Sequence, residues 1–526
     1  MLLKIIKYFL FKNIVYKLYL KIPTKIIFTG TQNFNPLSTD KKPLNLLLKI
    51  NDDYFSKNKK NQIPTSMHSF DWLNSFKNSG GLNLLQKSRK LILDWDNCEY
   101  ELNSKIWNEI LIARRIINLS TNFEYYGISA SDNFKKKITN IINYHFKHLL
   151  IINSLQNEKL DIDIEISKSI LLICVFFKKK DFFFKTINFI KKQTKHQINQ
   201  NGFHKSINVV EQARFIHNLI EIKNILLFNN FNKWPDIDLI IKDMTSLLKN
   251  LFHKDQSLPL FNATNNKQVD YVRNISNLQK DINIKKLFNI SNGIVIVEAN
   301  KTKLFFDVTK PNSKLLNKKI HSGTLSFEMS CENEKIITNC GSSEKYIGKN
   351  QIYFRYSAAH STTTINNTNI SELSEKNGYK RIPKNIKNMS EELANHYVIS
   401  GSHDGYKDNY GILIKRILKI KKTGNHIYGT DQILITKMKN KNNSFEIRFH
   451  LMPESSCVAT NNDQQAIIKT KNGMAWYFKS QKNKIRIDES LYIGNGYQPL
   501  ASKQIVIYGQ VSKIKSIINW ELKRVH

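Results

Sequence analysis

No run of apolar residues in this 526-residue chain is long enough to cross a bilayer. Cysteine is scarce: Cys98, Cys174, Cys331, Cys340 and Cys457 show no CxxC pair and no zinc-finger spacing, and five is an odd number for a disulfide framework. Cys174 lies in the apolar run ILLICVFF and reads as core, whereas Cys331 and Cys340 flank a hairpin turn as candidate cross-strand neighbours. There is no phosphate loop, no dinucleotide fingerprint and no nucleophile elbow, which argues against kinase, dehydrogenase and α/β-hydrolase chemistry. Nor is there an RNP, helix-turn-helix or zinc-finger motif, so nucleic acid is a poor partner despite the charge.

Acidic residues are few beside basic ones, 43 against 80, giving a formal net charge of +37. Such a balance suits a polyanion such as an acidic polysaccharide or an anionic lipid. The lysines, however, are spread through every kind of segment together with Asn and Ile. Codon bias toward AT-rich triplets explains that as well as a partner does, so charge alone identifies none. The N-terminus, MLLKIIKYFLFKNIVYKLYLKIPTKIIF, is apolar and basic, interrupted by Lys or Asn every few residues. It has no continuous apolar core followed by a small-residue cleavage site. It reads as an amphipathic leader that packs on the domain or touches a membrane surface, which leaves the compartment open between cytoplasm and periplasm.

From about 65 to 255 the apolar spacing is helical. Ser104 is a candidate N-cap before Ile106, Trp107, Ile110, Leu111 and Ile117; Val209, Ala213, Ile216 and Leu219 follow Ser206; Pro235-Asp236 opens a further helix. Amphipathic helices joined by short polar loops predict helical hairpins packed as an incomplete α/α toroid or bundle. From about 285 the period becomes two. Leu325, Phe327 and Met329 alternate with polar neighbours, as do Phe445, Ile447, Phe449 and Leu451, with Arg448 and His450 on the opposite face. Turns at Thr423-Gly424-Asn425 and Asn472-Gly473 join strands directly. The expected fold is α+β and multidomain: a leader and entry segment over 1–64, helices over 65–275, and an antiparallel β-sandwich over 276–526.

The order of several segments resembles the heparinase II/III family: SFDWLNSF, WNEILIARRIINL, GFHKSINVVEQARFIHNLIEIKNIL and FHKDQSLPLFNATNN, then HSGTLSFEMS, IITNCG, YFRYSAAHSTTTINN, SHDGYKDNYG and FEIRFHLMP. Each is weak singly, and their collinear order carries the resemblance. It implies a helical toroid, a β-sandwich and a carbohydrate cleft between them. It also implies polysaccharide-lyase chemistry, β-elimination on an anionic uronic-acid glycan. That reaction needs a donor to neutralise the uronate carboxylate, a base for the C5 proton and an acid for the leaving oxygen.

Position by position, the resemblance makes His204 in GFHKSIN a carboxylate neutraliser or proton shuttle, with Asn208 a sugar contact. Ile207 stands where many relatives carry Arg or Glu. His321, Asn339 and His360 match a His-Asp-His zinc trio, with Asn in place of the carboxylate, so zinc is the one cofactor implied. Lys319 replaces a catalytic His and becomes a substrate contact. The family's catalytic Tyr falls near 258–262, where the chain reads Leu-Pro-Leu-Phe-Asn. From the residues themselves, His403, Tyr406 and His450, with Arg448 as a substrate contact, form a candidate set for the cleft wall opposite His204. The functional alternatives are a lyase and a non-catalytic glycan-binding or envelope-associated protein that has lost the full constellation.

Overall fold

The structure, a computed structural model, describes residues 2–24, 49–59, 63–156, 158–231, 234–278, 287–289, 293–311, 316–343, 349–374, 378–439, 442–460, 462–511 and 514–525. Much of the leader, 25–48, and much of the expected junction, 279–286, lie outside them. By compactness the chain forms two units: Met1–Gln197 with His217–Ile237, and Ile198–Ile216 with Asp238–His526.

The first unit is helical. Helix Glu109–Thr121 packs against Asp132–Ser154 and Ile164–Phe176, and the last packs against Lys180–Gln197. Their apolar stripes, including Ile112, Ile116, Leu119, Ile142, Leu149 and Ile173, are buried. Ser104 does not cap the helix expected after it. It precedes a 3₁₀ turn, Lys105–Trp107, and Asn108 is the cap, its Oδ1 accepting the Leu111 N–H at 3.0 Å.

Among the described residues, the second unit holds two large antiparallel sheets and a two-stranded ribbon, Glu372–Ser374 with Gly378–Arg381. In the first, the neighbours run Leu287–Asn289, Ile294–Ala299, Thr302–Asp307, Phe327–Cys331, Glu334–Thr338, Ser444–Leu451, Leu500–Gln510 and Ile485–Tyr492, with Thr363–Ile365 added to Ser444–Leu451. In the second they run Ser456–Thr460, Gln465–Lys469, Ala475–Ser480, Lys515–Arg524, His426–Ile435, Ile412–Lys421, His396–Tyr406 and Ile386–Glu392. Both predicted turns join paired strands. The core between the sheets contains Phe306, Phe327, Ile399, Ile414, Ile447, Phe449, Phe478 and Trp520. Gly429 is required there: a Cβ would lie 2.0 Å from the Trp520 ring. All five cysteines are buried and free, so Cys331 and Cys340 form no disulfide.

Candidate functional site

The site is built on the face of the first sheet that does not look into the sandwich core. Glu328 and Lys335 sit on adjacent strands and are fully buried, because the segment His253–Asn262 covers them. Glu328 Oε2 receives the Lys335 ammonium, the His253 Nε2–H and the Leu260 N–H at 3.0, 3.0 and 3.1 Å. Its Oε1 receives the Asn339 N–H at 2.8 Å. Burial alone would raise this carboxyl, but Lys335, His253 and the amide bring it down to about 2. His253 stays neutral, pushed to about 4 by burial and by Lys335. Sequence reasoning missed this cluster; one Glu and one Lys on alternating strands read as an outer face.

The covering segment ends at Asn262, and here three backbone pieces meet. Asn208 Nδ2 donates to the Asn262 carbonyl at 2.8 Å, while Asn262 Oδ1 accepts the His321 N–H at 3.1 Å. Asn208 also caps the helix Val209–Phe228 through Oδ1, accepting from Val210 and Glu211 N–H at 2.8 and 3.1 Å. Asn208 is thus the N-cap of the helix. Ile207, Asn262 and Ala263 all have positive φ, 58°, 47° and 67°. For Ile and Ala this left-handed backbone costs about 1–2 kcal/mol each, and such strain gathers at functional sites.

His204 lies in the second unit at this junction and is buried. Its Nδ1 accepts the Ser206 N–H at 3.3 Å and contacts Ser206 Oγ at 2.7 Å. Nδ1 is thus the bare nitrogen, and in the neutral ring Nε2 carries the proton. Phe215 packs against the ring, centroids 4.8 Å apart. Lys319 is exposed, two residues before His321.

His321 and His360 come together, and Asn339 bonds the residue that follows His360. His360 Nδ1 faces the Tyr356 carbonyl at 2.8 Å and must donate to it, so its Nε2 accepts from His321 Nδ1–H at 3.1 Å. Asn339 Oδ1 accepts the Ser361 N–H at 2.9 Å. His321 Nε2, Asn262 Nδ2 and Asn339 Nδ2 are buried without a protein partner, the kind of groups that hold structural water. Burial holds both imidazoles neutral, His360 at about 4 and His321 well below its ordinary value. The trio supplies no anionic ligand. Among the described residues, no three His, Cys, Asp or Glu side chains come together as a metal site. As bonded here the two imidazoles form a neutral hydrogen-bonded chain, without the carboxylate of a His-Asp-His zinc set.

The second set is placed differently from the sequence expectation. Tyr406 is fully buried in the sandwich core, its hydroxyl donating to the Thr368 carbonyl at 3.1 Å. His403 is buried too, with Nδ1 accepting the Gly405 N–H at 3.2 Å. His403 faces inward by the same alternation as Tyr397 and Ile399, and the register shift after it turns Tyr406 inward as well. His450 donates from Nε2 to the Ala358 carbonyl at 2.9 Å, and its Nδ1 meets Ser490 Oγ at 2.8 Å. Burial pushes His403 and His450 down to about 3. None of the three presents an open ring atom to solvent.

Arg448 is only partly buried and borders a cavity of about 730 Å³ with Tyr356, Thr368, Asn369, Arg381 and Asn409. Arg448 donates to Thr364 Oγ1 at 2.7 Å and pairs with Glu446. Arg381 Nη1 donates to the Gly405 carbonyl at 2.7 Å. Glu372 lines the same cavity, so its charge is mixed, two guanidiniums beside a carboxylate and neutral hydroxyl and amide groups. The buried imidazoles brace this wall, His360 holding the Tyr356 carbonyl and His450 that of Ala358.

Comparison with known proteins now bears on this arrangement. Residues 290–521 match the family described as Heparinase II/III-like, C-terminal. A crystal structure of heparinase III aligns with a TM-score of 0.71 at 12% identity, covering 96% of this chain and 88% of that one. The heparan sulfate lyase HepC from Pedobacter heparinus aligns with a TM-score of 0.61 at 13% identity, covering 87% and 76%. The chondroitin AC lyase of Streptomyces coelicolor A3, solved with chondroitin sulphate, gives 0.53 at 7% identity over 95% and 81%. These likenesses show the fold. No curated protein sequence matches the chain.

Proposed function

Because residues 290–521 belong to the heparinase II/III-like C-terminal family, we propose that the protein acts on an anionic glycan containing uronic acid, by lyase-type β-elimination. The fold shared with polysaccharide lyases supports the reaction class. The observation that carries the site is His204, whose Nδ1 is taken by Ser206 so that Nε2 is an N–H donor. A uronate bound there has its carboxylate charge partly neutralised, which acidifies the C5–H bond. The C5 proton then leaves to a base, the C4–O bond breaks as the C4=C5 double bond forms, and the departing glycosidic oxygen takes up a proton. Asn208 holds the His204 turn against Asn262. Lys319, Arg381 and Arg448 are cations for further carboxylate or sulfate groups.

A second reading, glycan binding without cleavage, is favoured by one observation. His403 and Tyr406 are buried among the strands and His450 is buried beneath Ala358 and Ser490, so none of the three is open to a ligand. One experiment separates the two. Purified protein is incubated with a panel of uronate polysaccharides while ultraviolet absorbance of the unsaturated product is followed, alongside a binding measurement. A lyase gives product that His204→Ala reduces by at least about a hundredfold with folding intact. A binder gives none, and His204→Ala weakens binding alone. If the variant matches the wild type in both, the assignment of His204 fails.

A further inference from the structure

The helices Leu2–Lys12 and Ile14–Lys21 meet at Asn13, whose Oδ1 accepts the Tyr16 N–H at 3.2 Å. One side of this pair is fastened to the helical unit. Tyr16 OH meets His148 Nδ1 at 2.6 Å, Leu20 is buried, and Lys7 pairs with Glu109 at 2.7 Å. Lys147 donates to the carbonyls of Tyr19 and Ile22 at 3.0 and 2.9 Å, closing the end of the second helix.

The rest of the pair is apolar and largely exposed, with Ile14 and Leu18 on the rim of a groove that Trp95, Tyr100 and Leu102 also line. Phe9 is 68% exposed, Ile14 72%, Val15 69% and Leu18 60%, with Ile6, Tyr19 and Ile22 also exposed. Ile14, Leu18 and Ile22 recur at i, i+4 and i+8, with Val15 and Tyr19 beside them, so they form one stripe. Soluble proteins rarely display so many large apolar side chains together without a partner for them. Exposed lysines Lys12 and Lys17 accompany the stripe, Lys21 pairs with Glu99 at 3.4 Å, Asp96 and Glu101 lie along the groove that Ile14 and Leu18 border, and no Asp or Glu precedes Asp40 in the sequence.

Charge decides between occupants. A second copy of this chain, docked face to face, would set the same lysines against each other. An anionic lipid headgroup neutralises them while the acyl boundary takes the stripe. No helix among the described residues is long and apolar enough to cross a membrane. We propose that the N-terminal helix pair seats the protein on an anionic lipid surface, lying in the interface with Ile14, Val15 and Leu18 inserted. The Tyr16–His148 and Lys147 contacts fix the pair beforehand, so the stripe is presented without a folding step.

This stands independently of the glycan reading. The test is co-sedimentation of the full chain with vesicles of phosphatidylcholine alone or mixed with phosphatidylglycerol, at low and high salt. Binding to the mixed vesicles is expected, weaker by roughly tenfold on phosphatidylcholine alone or in high salt. The double variant Ile14→Ser/Leu18→Ser should lose that binding with unchanged circular dichroism and melting, since both side chains are exposed. A wild type that stays in the supernatant overturns the proposal. So does a double variant that binds like wild type, which would mean adsorption by diffuse charge. A dimer that the double variant dissolves would assign the stripe to self-association and overturn it as well.

Discussion

Asn339 is the residue on which the chemistry of the His321–His360 pair turns. With an amide there, the two imidazoles bond each other at 3.1 Å and the trio is neutral. Chelator-treated protein should therefore melt as untreated protein does, and elemental analysis should find no stoichiometric zinc. Asn339→Asp supplies the absent anionic ligand, but places it in a buried site whose backbone N–H already bonds the Glu328 carboxylate. Without metal the variant should lose about 2–4 kcal/mol, and added zinc should restore part of the loss. A variant whose melting ignores zinc would show that the imidazoles cannot turn to a shared ion. That His321 and His360 stand at neighbouring points of the fold was legible in the motif order. The neighbouring Glu328–Lys335–His253 cluster was not, because Glu328 is covered by a segment about seventy residues earlier in the chain, which strand alternation does not encode.

At the scale of elements, alternation served well wherever a strand was regular. Phe445, Ile447 and Phe449 face the core as their spacing requires, and Arg448 lies on the other side. It failed at His396–Tyr406, where the register shift after His403 turns Tyr406 inward. It also concealed the tie at the centre of the sandwich. Arg416 and Asp431 are cross-strand partners, both fully buried, with Nε and Oδ1 at 2.8 Å. Arg416 Nη1 also donates to the Leu325 and Ser361 carbonyls at 2.9 and 2.7 Å, and Asp431 Oδ2 accepts the Trp520 indole N–H at 2.9 Å. Every charge is satisfied, so removing one partner exposes the other. Arg416→Ala should destabilise the protein by about 3–5 kcal/mol, read from the urea midpoint. A loss under about 1 kcal/mol, the value of an exposed pair, would mean that water reaches Asp431. Because Arg416 holds Ser361, the same variant should loosen the loop bordering the Arg381–Arg448 cavity, seen as faster amide exchange at 356–362.

Across the whole molecule, the change from helical to alternating spacing was legible, but the compact division was not. Ile198–Ile216 joins the β-containing unit through bonds such as Asn208 to Asn262 and Val209 N–H to Thr264 Oγ1, links that local periodicity cannot register. The global property with the sharpest consequence is buried neutral histidine. Burial lowers His68, His253 and His360 to about 4, and His148, His403 and His450 to about 3, with His145 and His321 also well below their ordinary value. In the unfolded chain each takes a proton near pH 6.5. Their stabilisation is therefore complete above that pH and is lost as pH falls toward the folded values, because the unfolded state binds the protons first. All eight shifts act in the same direction, so their losses accumulate as pH falls below 6.5. Asp307, raised to about 7 by burial, works in the opposite sense, but it is a single group. Glu221 and Glu328, lowered to about 2, begin to cost stability only below about pH 4.5. The melting temperature should accordingly fall steeply between pH 7 and 5, with acid unfolding centred above pH 4.5. A flat melting temperature down to pH 5, followed by unfolding near pH 4 or below, would assign the acid lability to the paired carboxylates and not to the histidines.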